Sequence, residues 1–314
     1  MELQTTFNNE LIKTNAFNFD FFKRWSDYLD ASKKTIETYN YNLKQFIFYL
    51  QNNGITEPTR ETILNYRSYL LANHKPATAN GYLTTIKLFF SWLASEGLYK
   101  NIADRVKNVK LENGFKKDYL TAKQATRLIK SIDTSDLKGL RNYALLVLML
   151  TTGLRSIEIS RAKIEDLRPQ GDFIALYIQG KGRQDKGEYV KVSENVELAL
   201  REYLKARGTT DSKAPLFASA SNHNNNGALT TRSLSRIVKE ALINAGFNSD
   251  RLTGHSLRHT TATLNLLAGG TLEETKQLLR HKNINTTLIY AHALERANNN
   301  SEQRVANAIF TSEE

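Results

Sequence analysis

The sequence predicts a mainly α-helical protein with one small β-hairpin or sheet, divided into a helical N-terminal domain and a mixed α/β C-terminal domain. Three observations predict it. Apolar residues recur at helical spacing along most of the chain, strand-like patterns are confined to the region around residues 172–192, and a polar, lysine-rich run near residue 110 separates the two parts. A chain of 314 residues also exceeds what one small core organises. We take 1–110 as the first domain, 108–118 as the linker and 119–314 as the second domain.

In the first domain, "SKKTIETYNYNLKQFIFYL" (32–50) places Ile36, Tyr39, Leu43, Phe46, Ile47 and Leu50 on one helical face, with Ser32 as N-cap. The break "NNGITEP" precedes a second helix, "TRETILNYRSYLLAN". A third, "TANGYLTTIKLFFSWLASEG", has Thr78 as its expected cap and Gly97 as its stop. Of 30 aromatic residues, 20 lie in the first 118, so rings should fill this core. Residues 1–15 are expected to lack fixed structure.

The second domain opens with the helix start "TAKQATRLIKSI" and continues into "GLRNYALLVLMLTTGLRSIEISRA" (139–162), the most apolar stretch of the chain. "DFIALYIQ" and "GEYVKV" flank "GKGRQDK" and read as a hairpin. "SASNHNNNGAL" is a polar loop among further helices. Thr271 and Glu274 form a capping box ahead of a Leu272/Leu278/Leu279 stripe, with His281 just past that helix. Asn285 or Thr286 is the expected cap of the next helix, which carries Tyr290 in its first two turns.

Charge narrows the partners. The net charge is +11, with 16 Lys and Arg against 12 Asp and Glu up to residue 118 and 27 against 20 beyond it, so both halves are cationic. Such a chain is steered toward polyanions, nucleic acid above all. The absence of cysteine excludes disulfides, thiolate metal sites and a cysteine nucleophile, leaving hydroxyls, lysines and carboxylates. No window approaches 18 consecutive apolar residues, and "MELQTTFNNELIK" lacks the basic-then-apolar pattern of a signal peptide. A soluble, cytoplasmic protein without membrane association is the expectation.

Several residues are suited to chemistry. "GKGR" resembles a phosphate loop, but Lys181 is followed by Gly182 between strands, so nucleotide binding is not expected and the simple alternative is a solvated hairpin tip. His255 and Arg258 stand three apart, about 60° around a helix, and can address one anion, while His259 should point elsewhere. Arg155 follows a glycine in apolar surroundings and needs a partner, which Glu158 three residues on can supply. Singly, His255 and Arg258 also fit an exposed helix face, His281 a loop histidine and Tyr290 a packing residue.

Together, Arg155, Lys181, His255, Arg258, His281 and Tyr290 supply what phosphoryl transfer through a covalent tyrosine calls for. Two arginines and a histidine offset charge on the phosphate oxygens, a lysine on a hairpin protonates the departing sugar oxygen, and a histidine accepts the phenol proton. No acidic cluster has metal-ligand spacing, so neither a metal nor any other cofactor is expected, and exchange of one phosphate ester for another needs no ATP.

The motifs "TTGLRSIEI", "GKGR", "HSLRHTTAT" and "LLRHKNINTTLIYAH", in this order and spacing, resemble the tyrosine site-specific recombinases, the family of phage-type integrases and chromosome-dimer-resolving recombinases. "KKTIETYNYNLKQFIFYL" and "TANGYLTTIKLFFSWL" look like that family's helical core-DNA-binding domain, so the resemblance spans essentially the whole chain. It implies a DNA strand transferase, independent of metal and ATP, acting in DNA integration, excision or resolution in a bacterial, phage or mobile-element setting. By the same resemblance Arg155 and Arg258 are the phosphate-clamping arginines, Lys181 the general acid, His255 the general base, His281 a second phosphate contact and Tyr290 the nucleophile that forms a 3′-phosphotyrosyl bond. Glu158 matches a supporting acidic position. One departure is Arg280, where the family pattern has glycine; an added DNA contact or an altered turn is expected there.

The resemblance further implies a clamp around double-stranded DNA carrying a specific target site, with both domains contributing. Lys33, Lys34, Thr35, Lys75, Thr78, Asn80, Lys87, Arg232 and Arg236 are the DNA-contact candidates. It implies a homotetramer on paired sites, passing through a Holliday junction, with accessory proteins as further partners. The tail 291–314 carries Val305, Ala308, Ile309 and Phe310, which either pack on their own domain or dock on a neighbouring protomer. Residues 1–15 are too short for an additional DNA-reading domain, so a compact architecture is expected. Two other functions stay open: a type IB topoisomerase-like strand transferase and a non-catalytic sequence-specific DNA-binding protein.

Overall fold

The structure is a computed structural model that describes residues 19–111, 118–180, 185–220, 226–297 and 299–310. The chain divides into two units, 1–113 and 114–314. Residues 1–15, part of the expected linker and part of the polar loop at 219–229 lie outside the described residues.

Among the described residues, four helices build the first unit: α1 (Phe19–Tyr28), α2 (Lys33–Asn52), α3 (Arg60–Asn73) and α4 (Pro76–Ser95). Sequence reading did not anticipate α1, a ten-residue segment, yet it brings the buried Phe21 and Trp25 into the core. There Phe21 meets Trp92 edge-on at 5.2 Å and Trp25 meets Phe89 at 5.6 Å, so rings do fill this core. Ser32 caps α2 by accepting from the Thr35 N–H, and Thr59 forms a capping box with Thr62 on α3. The expected cap Thr78 is corrected: Pro76 occupies the first helical turn, where its fixed φ suits helix entry, and Lys75 becomes the N-cap. Gly97 adopts φ 67° just past α4.

The segment leaving α4 is tied back onto its own unit. Arg60 donates to the carbonyls of Asp104 and Arg105, and Arg67 donates to that of Lys107. The Asn80 amide exchanges two hydrogen bonds with the Val109 backbone, at 2.9 and 2.8 Å, and Lys87 donates to Asn108 Oδ1 at 2.6 Å. Two DNA-contact candidates, Asn80 and Lys87, are therefore engaged in holding this segment.

The second unit contains α5 (Ala122–Lys130), α6 (Leu137–Thr152), α7 (Ser156–Arg161), a 3₁₀ turn at Ile164–Asp166, β1 (Leu167–Gln170), β2 (Phe173–Ile178), β3 (Glu188–Val192), α8 (Glu194–Arg207), α9 (Thr231–Asn244), α10 (Gly254–Leu267), α11 (Leu272–Leu279), α12 (Asn285–Ala297) and α13 (Ser301–Phe310). The strands form one antiparallel sheet in the order β1–β2–β3. The expected hairpin is β2–β3, in which Leu176 pairs with Val190 and both face the core. β1 was not legible, because "LRPQ" contains a proline and no alternation. Leu145, Leu146, Leu148 and Met149 of α6 and Leu257 of α10 sit in the centre of this core.

Near the C-terminal end, the Thr271/Glu274 capping box forms as read. The cap of α12 needs correction: Asn285 is its first residue, and Asn283 instead supplies the acceptor, its Oδ1 taking the Asn285 N–H at 2.9 Å. On α13 no residue is buried, and Val305, Ile309 and Phe310 are exposed, the last by 81%. Among the described residues, then, nothing buries Val305, Ile309 or Phe310. Among the described residues no helix is long and apolar enough to cross a membrane.

Candidate active site

α6 ends where Gly153 turns left-handed at φ 59°, and the chain re-enters a helix with Arg155 as N-cap of α7. That reversal sets Arg155 beside Glu158, one turn into α7. Glu158 Oε2 accepts from the Arg155 backbone N–H at 2.8 Å and Oε1 from Nη1 at 2.9 Å. The partner expected for Arg155 is thus present. Glu158 is fully buried, and burial alone would raise its pKa; the adjacent Arg280 and the hydrogen bonds and charge of Arg155 outweigh that and hold it below the usual carboxylate value.

Arg258 lies inside α10, 2% exposed. Its Nη1 donates to the carbonyl of Gly153 and its Nη2 to that of Leu279, the terminal carbonyls of α6 and α11. Each helix end presents the negative pole of its dipole, so one buried guanidinium adds a donor to two helix C-termini at once. Burial and the like charges of Arg155 and Arg280 press its pKa down to about 9, which leaves it cationic at neutral pH.

After α11 the backbone turns left-handed at Arg280, φ 54°, and then delivers His281. The Arg280 side chain turns inward, only 8% exposed, and donates to Glu158 Oε2 at 3.0 Å and to the Leu278 carbonyl at 2.7 Å. His281 Nδ1 shares a hydrogen bond of 2.8 Å with Thr287 Oγ1. Burial, then the charges of Arg258, Arg155 and Arg280, lower the His281 pKa to about 4, so this imidazole is neutral at physiological pH.

Tyr290 falls in the second turn of α12 and is 3% exposed. Its ring stacks parallel to that of His281 at 6.5 Å and meets His259 at 5.2 Å. Burial raises the phenol pKa, while Arg258 and Arg155 pull the other way, so the resting hydroxyl is protonated at neutral pH. His259 in turn contacts the exposed His255 edge-on at 4.5 Å. The expectation that His259 points elsewhere was wrong: residues four apart on a helix lie only about 40° apart around the axis, closer than the three-apart pair of His255 and Arg258.

These groups surround one cavity of about 570 Å³, whose wall includes Arg155, His255, Arg258, His281 and Tyr290 together with His259, Arg280 and Gly180. Five of the six sequence-derived candidates thus meet in one place. The sixth, Lys181, lies outside the described residues, although its neighbour Gly180 lines the cavity. The hairpin stem is anchored nearby, where Lys186 Nζ donates to both Asp166 carboxylate oxygens at 2.7 and 2.5 Å. Of the DNA-contact candidates, Lys33, Lys34, Lys75, Thr78, Arg232 and Arg236 are exposed and Thr35 is half-buried; none lines the cavity. His259 and Thr287 were missed; for His259 the four-residue spacing from His255 was the available signal.

A cavity lined by cationic guanidiniums and a buried phenol suits an anionic ester and its attack by tyrosine, which is phosphoryl-transfer chemistry. Residues 118–296 match the phage integrase family, and residues 21–99 match the N-terminal SAM-like domain of phage integrases. The chain is 30% identical over 274 residues to tyrosine recombinase XerC of Thermodesulfovibrio yellowstonii, covering 83% of this chain and 86% of that protein. It is 28% identical over 270 residues to tyrosine recombinase XerD of Listeria monocytogenes, covering 83% and 88%. A crystal structure of the XerH site-specific recombinase bound to difH substrate in a pre-cleavage complex superposes with a TM-score of 0.68 at 25% identity, covering 92% of this chain and 85% of that one. The chain belongs to the phage integrase family. Its activity is that class's own, site-specific recombination by the tyrosine mechanism, a strand transfer on DNA.

Proposed function

We propose that Tyr290 is the nucleophile of this recombinase and that the cavity it lines receives the scissile phosphate of a double-stranded DNA target. The observation that carries the reading is the convergence of Arg155, His255, Arg258, His281 and Tyr290, drawn from separated segments, on a single cavity. Arg155 and Arg258 hold the non-bridging oxygens, and neutral His281 adds a hydrogen-bond donor. The Tyr290 oxygen forms a bond to phosphorus as the bond from phosphorus to the 5′ oxygen breaks. The phenol proton passes to His255, and Lys181 delivers a proton to the departing 5′ oxygen, leaving a 3′-phosphotyrosyl link and a 5′-hydroxyl. Attack by a partner strand's 5′-hydroxyl reverses these steps and rejoins the DNA.

Strand exchange then takes place in a homotetramer on two DNA sites, through a Holliday junction. The exposed Val305, Ile309 and Phe310 of α13 support docking of the tail on a neighbouring protomer, since an isolated chain leaves them in water. The exposed cations Lys33, Lys34, Lys75, Arg232 and Arg236, with Thr35 and Thr78, contact the backbone or bases of the target. The domains act as 1–110 and 119–314, joined by 108–118, and the protein works on nucleoid DNA in the cytoplasm of a bacterium, in integration, excision or dimer resolution.

The test uses a target duplex recovered by binding selection from randomised DNA. Two such duplexes of different length should yield recombinant products and a four-way intermediate. Relaxation of a supercoiled plasmid lacking the site, without recombinant products, would point instead to a topoisomerase-like strand transferase. Binding with neither outcome would leave only a DNA-binding protein.

A further inference from the structure

Glu158 is shared by two arginines. Its Oε1 accepts from Arg155 Nη1 at 2.9 Å, while Oε2 accepts from both the Arg155 backbone N–H at 2.8 Å and Arg280 Nη2 at 3.0 Å. Arg155 is 32% exposed at the cavity wall, Arg280 reaches the same wall but is only 8% exposed, and Glu158, 0% exposed, lies behind both. Arg280 occupies a left-handed backbone position, φ 54°, where glycine or asparagine is comfortable and an arginine is strained. Its guanidinium is nonetheless drawn into the protein, and among the described residues its buried Nε finds no acceptor. An arginine held under those two penalties is kept in place by what its Nη atoms do.

We infer that Arg280 is a positioning residue of the strand-transfer site, acting through Glu158 to orient Arg155 and to leave its charge available; this rests on Arg155 being a phosphate clamp. The orientation follows from geometry. With Arg280 present, neither oxygen of the Glu158 carboxylate can swing without breaking a charge-assisted hydrogen bond, so the fork that Arg155 presents to the cavity is fixed. The availability follows from electrostatics. A lone Arg155–Glu158 pair is nearly neutral, and a phosphate entering the cavity would compete with the carboxylate for the guanidinium. Arg280 takes up part of that negative charge, so Arg155 offers more of its own to an anion. In this role Arg280 acts through the Glu158 carboxylate, to which its Nη2 donates at 3.0 Å.

The test compares the wild-type protein with Arg280→Gly, Arg280→Lys, Glu158→Gln and the Arg280→Gly/Glu158→Gln double variant. Each is given a nicked duplex carrying the selected target site, and three quantities are read: DNA affinity, covalent-complex formation rate at saturating protein, and melting temperature. Arg280→Gly relieves the left-handed strain, so its melting temperature should hold while cleavage at saturation slows by about 10- to 100-fold. Its affinity for DNA should change by less than about threefold. Arg280→Lys, which keeps a donor to Glu158, should recover most of the rate. In the Glu158→Gln background the glycine substitution should cost less than about threefold more, because both changes break one chain of contacts. Arg280→Gly cleaving within twofold of wild type, a loss confined to affinity, or full additivity with Glu158→Gln would each overturn the inference while wild-type cleavage leaves the site reading intact. A wild-type protein that never becomes covalent would overturn the site reading, and this inference with it.

Discussion

Arg258 donates from Nη1 to the carbonyl of Gly153, the left-handed residue that ends α6. The bond joins a guanidinium that lines the cavity to a backbone reversal that only a small residue makes easily. A Cβ on Gly153 would also stand 2.7 Å from Leu279 Cδ2, and the Leu279 carbonyl is the second acceptor of Arg258. Gly153→Ala should therefore lower stability by roughly 2 kcal/mol or more, measured by urea unfolding, and slow strand cleavage as well by shifting both acceptors of Arg258.

His281 gives a pH signature. Its folded pKa of about 4 lies below the ordinary 6.5, so its neutral form is favoured in the native state. As pH falls below 6.5 the unfolded chain gains a proton that the folded chain resists, so this contribution to stability is complete above 6.5 and declines between 6.5 and 4. The imidazole titration followed by NMR should have its midpoint near 4, and a midpoint near 6.5 would show that the ring is not enclosed beside the three arginines.

Glu158 is the one carboxylate held between Arg155 and Arg280. Replacing it with glutamine removes the carboxylate that both guanidiniums donate to, one of them buried, and leaves Arg280 with the charge of Glu188 alone. Breaking a buried pair from one side costs about 3–5 kcal/mol, and we expect a loss toward the lower end because Arg155 is partly solvated. Its pKa is depressed, so the stability it gives is present above the ordinary carboxylate value and is lost on further acidification. Thermal melting of Glu158→Gln across pH should show the wild-type advantage shrinking at low pH.

The tail separates folding from assembly. Because Val305, Ile309 and Phe310 are exposed in the single chain, replacing all three with serine should move monomer stability by no more than about 0.5 kcal/mol per site. The same substitutions should reduce higher-order complexes on DNA in native gels while single-site binding persists. Normal tetramer formation by the triple variant would remove α13 from the interface.

Much of this was legible because it is local. Helical periodicity located α2, α3 and α4, the Thr271/Glu274 box located α11, and alternation located β2 and β3. The class of chemistry was legible because charged and nucleophilic residue types stand at informative spacings. What escaped depends on tertiary contacts. α1 is recognisable by Phe21 and Trp25 entering a core built from distant helices, and β1 by pairing with β2 rather than by its own pattern. The inward turn of Arg280 depends on Glu158, 122 positions away in sequence, and the start of α4 depended on Pro76 overruling a plausible threonine.

The most direct measurement is the identity of the residue that becomes attached to DNA. The wild-type protein, reacted with a nicked duplex carrying its selected site, is digested with nuclease and protease, and the nucleotide-bearing peptide is sequenced by mass spectrometry. The modification should fall on Tyr290, with its mass matching a 3′-phosphate ester, and Tyr290→Phe should yield no such peptide. Attachment through any other side chain, or a covalent complex that survives in Tyr290→Phe, would contradict the role assigned to this cavity.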